Sequence, residues 1–247
     1  MVRAVRVLAI VHQSDAGPGV FSDAIRDVGA VLDTWPLTTS PEPPDDPLGY
    51  DAVLTFGGAM HPDQVAAHPS LAQEKAVLGE LLDRRVPLLG VCLGSELVAE
   101  AAGGQARRAD TTEIGWYRVE TTDEAFDDPL MAPLVPAFKA LEWHSYETAV
   151  PPGAVPLARS AACLQAYRVG HDAWGIQFHA EVTLDDFESW LDDFRSDPDA
   201  VALGVEGEAA GRYAFRLLAH QPVGVAAGLL VHAAEPLVHR AAEFDGA

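Results

Sequence analysis

Val5 to Val11 is an almost unbroken aliphatic run. It gives way to a polar turn, His12 to Gly19, in which Gly17-Pro18-Gly19 precedes apolar residues at helical spacing, Phe21, Ile25 and Val28. This predicts a strand, a turn and a helix. Ala30 to Leu37 predicts a second strand, and Thr38 to Pro47 (TTSPEPPDDP) a surface loop rich in proline and acid. Tyr50 to Phe56 (YDAVLTF) predicts a third strand that ends on Gly57-Gly58. Pro69 to Arg85 carries Leu71, Leu78, Leu81 and Leu82 at helical intervals, with Ser70 as the expected N-cap and Glu74 near the first turn. Val86 to Gly104 (VPLLGVCLGSELVAEAAGG) then combines an apolar strand, a tight turn bearing one cysteine, and a helix that begins at once.

Beyond Gly104 the pattern changes. Short runs separated by turns, at Ile114 to Glu120, Phe138 to His144, Val155 to Ser160, Leu164 to Val169 and Ala173 to Phe178, predict a β-rich, partly antiparallel second half. Thr183 to Phe194 predicts a helix capped by Thr183, with Leu184, Phe187, Trp190, Leu191 and Phe194 on one face. Glu206 to Glu243 is alanine-rich and predicts two helices divided at Pro222 and Gly224. Alternating strand and helix followed by short strands implies an α/β fold: a doubly wound, flavodoxin-like, mostly parallel sheet with helices on both faces and a smaller antiparallel β portion. The expected organisation is one domain over residues 1–197, with a C-terminal helical extension over 198–247 packing on it.

Composition narrows the function classes. A chain of 247 residues with 49% hydrophobic content builds a sizeable core without disulfides. Cys92 and Cys163 lie in unlike contexts, so a reducing cytoplasm is the expected location. The amino terminus reads as a strand rather than a signal peptide, and no apolar stretch approaches the roughly 20 residues of a membrane span. A net charge of −21 repels phosphate backbones and anionic lipid, which argues against nucleic-acid or membrane partners.

Cys92 sits in Gly90-Val91-Cys92-Leu93-Gly94, between a strand's carboxyl end and a helix's amino end. There, flanking glycines permit a tight turn, and unpaired N–H groups favour a thiolate. Taken alone, a lone cysteine is more often a small buried hydrophobe. A thiol nucleophile needs a base and an orienting acid, and Gly175-Ile176-Gln177-Phe178-His179-Ala180-Glu181 offers both at a strand end. Of the nine histidines, His179 is the one that combines a strand end with a carboxylate in the same turn. The Leu93 N–H, next to the nucleophile, and the Gly57-Gly58 turn are the natural oxyanion donors, although Gly57-Gly58 alone reads equally well as a simple turn. Trp116, Tyr117, Trp143, Tyr146 and Tyr167 line a pocket or fill a core. No His, Cys and carboxylate cluster has metal-ligand spacing, and no cofactor is expected.

In combination, Gly-Val-Cys-Leu-Gly, the preceding Gly57-Gly58 and Gln-Phe-His-Ala-Glu resemble the class I glutamine amidotransferases, those with a Cys-His-Glu triad. Within them the chain is most similar to free-standing homologues of the GMP synthase amidotransferase domain. Gly17-Pro18-Gly19, Glu113-Ile114-Gly115-Trp116 and Trp143-His144 extend the resemblance over about Val5 to Phe194. It implies hydrolysis of the γ-amide of glutamine or of a γ-glutamyl compound through a Cys92 thioester. His179 and Glu181 would complete the triad, Gly58 and Leu93 the oxyanion hole, and Glu96, Gly57, His144 and Ser145 the substrate site. Two positions depart from the family pattern. Glu96 stands where the family commonly has glutamine, and a carboxylate accepts from an ammonium but cannot donate to a carboxylate. Ala180 stands where the family usually has proline. No synthetase domain or phosphate-binding loop follows the resembling region, so released ammonia would pass to a separate synthetase subunit or be lost. A stand-alone γ-glutamyl peptidase or amide hydrolase, and a non-catalytic binding module on the same fold, remain as alternatives.

Overall fold

The computed structural model describes residues 3–193 and 197–202. The expected helices within Glu206 to Glu243, and the end of the helix expected to reach Phe194, lie outside the described residues. One sheet of nine strands runs through the molecule in the order β2-β1-β3-β4-β9-β8-β7-β5-β6. The strands are β1 (Arg6–Val11), β2 (Val31–Pro36), β3 (Ala52–Thr55), β4 (Leu88–Val91), β5 (Ala106–Thr121), β6 (Ala137–Thr148), β7 (Val155–Arg159), β8 (Leu164–Val169) and β9 (Ala173–Ile176). The helices are α1 (Phe21–Asp27), α2 (Ser70–Arg84), α3 (Leu93–Ala101), α4 (Leu184–Asp193) and α5 (Pro198–Ala202). Strands β2, β1, β3, β4 and β9 pair in parallel, and β9, β8, β7, β5 and β6 continue the same sheet antiparallel. This is the doubly wound α/β architecture with an antiparallel portion.

Alternation along β1 divides the core into two layers, because successive strand side chains point to opposite faces. Val7, Ala9 and Val11 pack with Phe21 and Ile25 of α1. Leu8 and Ile10 pack with Leu71, Leu78 and Leu81 of α2 and with Leu97 and Val98 of α3. Burial of both faces explains why β1, β3 and β4 read as continuous apolar runs, whereas the edge strand β2 is largely exposed.

Local details depart from the pattern reading in two places. Ser70 is not the N-cap: Pro69 occupies that position with helical angles (φ −59°, ψ −23°), Ser70 is the first helical residue, and no side chain caps the end. β5 and β6 are longer than their apolar runs. The added half of β5 is mostly polar and, from Ala106 to Thr112, exposed or half-exposed, so it carries no buried apolar face for alternation to reveal. Thr183 does cap α4, exchanging bonds with Asp186: its hydroxyl donates to Oδ2 at 2.6 Å and accepts from the Asp186 N–H at 3.2 Å. No helix among the described residues is long and apolar enough to cross a membrane.

Between β4 and α3 the backbone approaches itself too closely for side chains. A Cβ at Gly90 would lie 2.5 Å from the Gly94 carbonyl oxygen and 2.7 Å from the Ser95 nitrogen, and one at Gly94 would lie 2.6 Å from the Thr55 carbonyl carbon. The neighbours are backbone atoms that cannot swing aside. Gly90→Ala is therefore expected to destabilise the protein by about 1–3 kcal/mol or more, read as a lowered urea midpoint at unchanged slope.

Candidate active site

The carboxyl ends of β1, β3, β4 and β9 converge at one edge of the parallel sheet, where doubly wound folds place their ligands. Cys92 occupies the turn after β4 with φ 52° and ψ −115°. A positive φ is strained for a residue with a Cβ. It is held by its neighbours: the Cys92 N–H donates to the Ile176 carbonyl at 2.8 Å, and the Gly94 N–H to the Phe56 carbonyl at 3.1 Å. The result presents the thiol at the head of α3, 3.8 Å from the Trp143 carbonyl oxygen.

His179 follows β9, and its N–H bonds the Leu141 carbonyl of β6 at 2.9 Å. Its Nδ1 lies 2.8 Å from Glu181 Oε1, and its side chain also hydrogen-bonds Cys92. A carboxylate only accepts, so Nδ1 carries the proton and Nε2 is left to face the thiol. Burial opposes a charged ring, but the nearby Glu181 carboxylate and Cys92 outweigh it and hold His179 well above the usual histidine range. Glu181 is fully buried, and its backbone is fixed from the other end of the chain. The Val20 N–H donates to the Glu181 carbonyl at 2.8 Å, and Gly19 packs so tightly there that a Cβ would lie 2.8 Å from the Glu181 carbonyl carbon. That contact is the physical content of the Gly17-Pro18-Gly19 turn. Trp190 of α4 closes the far side, edge-on to His179 at 4.8 Å.

A cavity of about 520 Å³ opens on this group, lined by Cys92, His179, Gly58, Leu93, Glu96 and Ser145 among others. Gly57 lies behind them: a Cβ there would be 3.2 Å from His179 Cε1 and 3.9 Å from Cys92 Sγ. Glu96, in the first turn of α3, accepts from Gln177 Nε2 at 3.1 Å, and burial pushes its carboxyl up to about 7 against that bond and the nearby histidines. His144 also lines the cavity, but its nitrogens face protein: Nδ1 is 2.8 Å from the Tyr146 carbonyl, and Nε2 lies 3.3 Å from Glu113 and 3.2 Å from Glu142. Burial opposes its charge, yet the two carboxylates raise it to about 10. Glu113 is correspondingly held low, because its bonds to His144 and Ser160 outweigh its burial. At Glu142 burial wins and the carboxyl is pushed up.

A profile of the family Glutamine amidotransferase class-I matches residues 20–196. The chain belongs to the class I glutamine amidotransferase family. It is 34% identical over 163 residues to a glutamine-hydrolyzing GMP synthase subunit of Haloarcula marismortui, covering 64% of this chain and 77% of that protein. It is 32% identical over 174 residues to the gamma-glutamyl-L-1-hydroxyisopropylamide hydrolase of a Pseudomonas species, covering 66% of this chain and 56% of that protein. A glutamine amidotransferase from Thermotoga maritima superposes with a TM-score of 0.84 at 26% identity, over 96% of this chain and 99% of that one.

Within this amidotransferase fold, Cys92, His179, Gly58, Leu93, Glu96, His144 and Ser145 line the same cavity, with Gly57 and Glu181 just behind them. Among the aromatic residues, Trp143 and Tyr146 line it, whereas Tyr167 is core and donates its hydroxyl to the Ser95 carbonyl at 2.5 Å. Three-dimensional proximity adds what spacing along the chain did not reveal. His179 is not alone in joining a strand end to a carboxylate: His12, just after β1, lies 2.7 Å from Glu74. Glu74 is accordingly no helix-end charge but fully buried. His12 thus shares the strand end and the carboxylate, but its partner comes from another segment and not from the same turn. Likewise Glu113, His144 and Cys163, from separate segments, bring potential ligand atoms within 4.8 Å of one another. Their geometry is that of an ion-paired histidine, with Glu113 also accepting from Ser160 Oγ at 2.9 Å and Gln165 Nε2 at 3.1 Å.

The raised His144 has a definite pH signature. Its contribution to stability is fully present below the unfolded value of about 6.5 and is lost as pH rises through about 10. The thermal midpoint of the native protein should therefore exceed that of His144→Gln most at pH 6. The gap should narrow steadily toward pH 10 in paired calorimetric scans.

Proposed function

We propose that the protein is a γ-glutamyl amide hydrolase, cleaving the side-chain amide of glutamine or of a γ-glutamyl compound through a Cys92 thioester. What carries this reading is the strained Cys92 turn facing a His179 that is itself oriented by Glu181 at 2.8 Å. His179 Nε2 takes the Cys92 proton as the sulfur attacks the amide carbon, and the carbonyl oxygen takes up negative charge against the N–H groups of Gly58 and Leu93. Collapse breaks the C–N bond as His179 gives its proton to the departing ammonia or amine. Water, losing a proton to His179, then attacks the thioester and releases the γ-carboxylate and the thiol. Gly57, by lacking a side chain, leaves room beside Cys92 and His179, while Glu96 and Ser145 face the bound γ-glutamyl group and His144 stiffens the floor.

Glu96 bears on the γ-glutamyl half that glutamine and γ-glutamyl amines share, because a carboxylate there accepts from an α-ammonium and cannot donate to an α-carboxylate. One relative favours a particular version of this reading, since it is named as a γ-glutamyl amide hydrolase rather than as part of a synthase. We therefore read the physiological substrate as a γ-glutamyl amine handled by this chain without an ammonia acceptor. The competing version, an ammonia donor to a separate synthetase subunit, draws on the GMP synthase relatives.

A panel of γ-glutamyl amines and glutamine tests the function. Amine or ammonia release is expected from at least one member, with Cys92→Ala reducing it by about 10⁴-fold or more and a glutamine-analogue electrophile labelling Cys92. Absence of both release and labelling would overturn the reading. For Glu96, KM is expected to fall as pH rises through about 7, where its carboxylate forms. Glu96→Gln should flatten that profile and raise KM by about tenfold for glutamine and γ-glutamyl amines alike, measured by coupled glutamate assay.

A further inference from the structure

The most tightly built polar cluster outside the Cys92, His179 and Glu181 group is the one formed by His12, Glu74 and Thr55. The side chains of His12 and Glu74 are essentially sealed from solvent, at 1% and 0% exposure. His12 Nε2 lies 2.7 Å from Glu74 Oε2, Glu74 Oε1 accepts from the Thr55 hydroxyl at 2.5 Å, and His12 Nδ1 lies 3.1 Å from the Gly57 carbonyl oxygen. A carbonyl oxygen only accepts, so Nδ1 carries a proton and donates it to Gly57. The backbone of His12 is pinned in turn, its carbonyl accepting from Thr38 Oγ1 at 2.9 Å.

We propose that His12, oriented by Glu74, is a positioning residue that holds the Gly57–Gly58 peptide so that its N–H faces the reacting carbonyl oxygen. The inference rests on the hydrolase reading above. In a trans peptide the C=O and N–H point in opposite directions, so fixing one fixes the other. Holding the Gly57 oxygen on the His12 side turns the Gly58 N–H away from it. The next peptide is held as well: the Ala59 N–H donates to Gln13 Oε1 at 2.8 Å. Two consecutive residues at the end of β1 thus clamp the groups on either side of the Gly58 N–H. That N–H itself has no hydrogen-bond partner among the described residues, and neither does the N–H of Leu93. Sterics act the same way, since a Cβ on Gly58 would lie 2.9 Å from His12 Cβ, so the imidazole backs the turn from behind.

A donor aimed before the reaction begins needs no reorganisation as charge develops, which is the source of oxyanion-hole catalysis. Gly57-Gly58 has no side chains to stiffen it and both residues are glycine, so without an outside clamp the peptide is free to turn over. The buried His12–Glu74 pair supplies the clamp. Glu74 accepts both the imidazole and the Thr55 hydroxyl and so prevents the ring from rotating away from Gly57.

The test compares His12→Asn, whose amide nitrogen can replace Nδ1 on Gly57, with His12→Gln, whose amide reaches toward Glu74 instead. Each is assayed on the best γ-glutamyl substrate found for the native protein. His12→Gln should lower kcat by about 10–100-fold with KM changed less than about threefold, and His12→Asn should recover most of the loss. Affinity for a γ-glutamyl aldehyde, whose adduct with Cys92 bears an oxyanion, should fall by the same factor as kcat, while affinity for the product glutamate stays unchanged. Equal weakening of aldehyde and glutamate, or a kcat loss that follows only the drop in thermal midpoint, would reduce His12 to a packing residue and overturn the proposal. A crystal structure of the native aldehyde adduct decides independently of how the variants fold. The adduct oxygen on the Gly58 N–H, with His12 still on the Gly57 carbonyl, supports the proposal, and a Gly57–Gly58 peptide turned over refutes it. If the native protein hydrolyses no γ-glutamyl compound, the hydrolase reading fails first and takes this proposal with it. If the native protein is active and the variants match it, only the positioning role falls.

Discussion

The close approach of backbone to backbone around Cys92 is the constraint on which the rest depends. Strand β4 must end, turn through a left-handed residue and start α3 within a few residues, while Gly90 and Gly94 lie against each other and Gly94 lies against Thr55 of the neighbouring strand. The turn persists because strands on both sides over-determine it, through Ile176 of β9 and Phe56 at the end of β3. The same two connections bring the Gly57-Gly58 turn and the His179 segment to the thiol. Strain at one residue is thus the consequence of packing three strand ends around a single point.

Around that point the protein buries three histidines, each against one or two carboxylates. His179 with Glu181, His12 with Glu74, and His144 with Glu113 and Glu142 are all nearly sealed from water. A buried ion pair contributes little net stability compared with a well-packed apolar one, but it fixes orientation strongly, because removing either partner strands a charge. Of these three histidines His179 and His144 line the cavity and His12 lies behind its Gly57-Gly58 wall, each with its ring nitrogens set against a carboxylate and a backbone carbonyl or thiol. The wall of the cavity is therefore rigid and electrostatically defined, which suits a reaction whose charge develops on a substrate oxygen. Glu96 is the exception: it is buried against an amide rather than a cation, and its carboxyl accordingly titrates near neutrality.

Most of the parallel half was legible along the chain because its strands are buried on both faces and its helices on one, so burial writes itself into runs and helical spacing. The elbow at Cys92 and the dyad of His179 and Glu181 were legible for a different reason, since their parts are neighbours in sequence. The polar half of β5 was not legible, because an exposed ribbon has no buried face to mark. The role of Glu74 stayed hidden for a related reason. A glutamate on an amphipathic helix is ordinarily solvated, and nothing in α2 itself signals that this one meets His12 from another segment, 62 residues away.

The sequence by itself determined the alternation of strands and helices, the site of the strained turn and the identity of the groups beside it, all of which depend on local spacing and on residues whose chemistry is intrinsic. Only the tertiary structure decided which carboxylate serves which histidine, that Glu96 lies buried beside Gln177, and that the end of β1 grips the Gly57-Gly58 turn. Those are contacts between distant segments, set by the order and stagger of the strands, and no periodicity within one segment encodes them. The stretch around Cys92 carries the thiol, but its surroundings come from the far ends of the chain brought to one edge of the sheet.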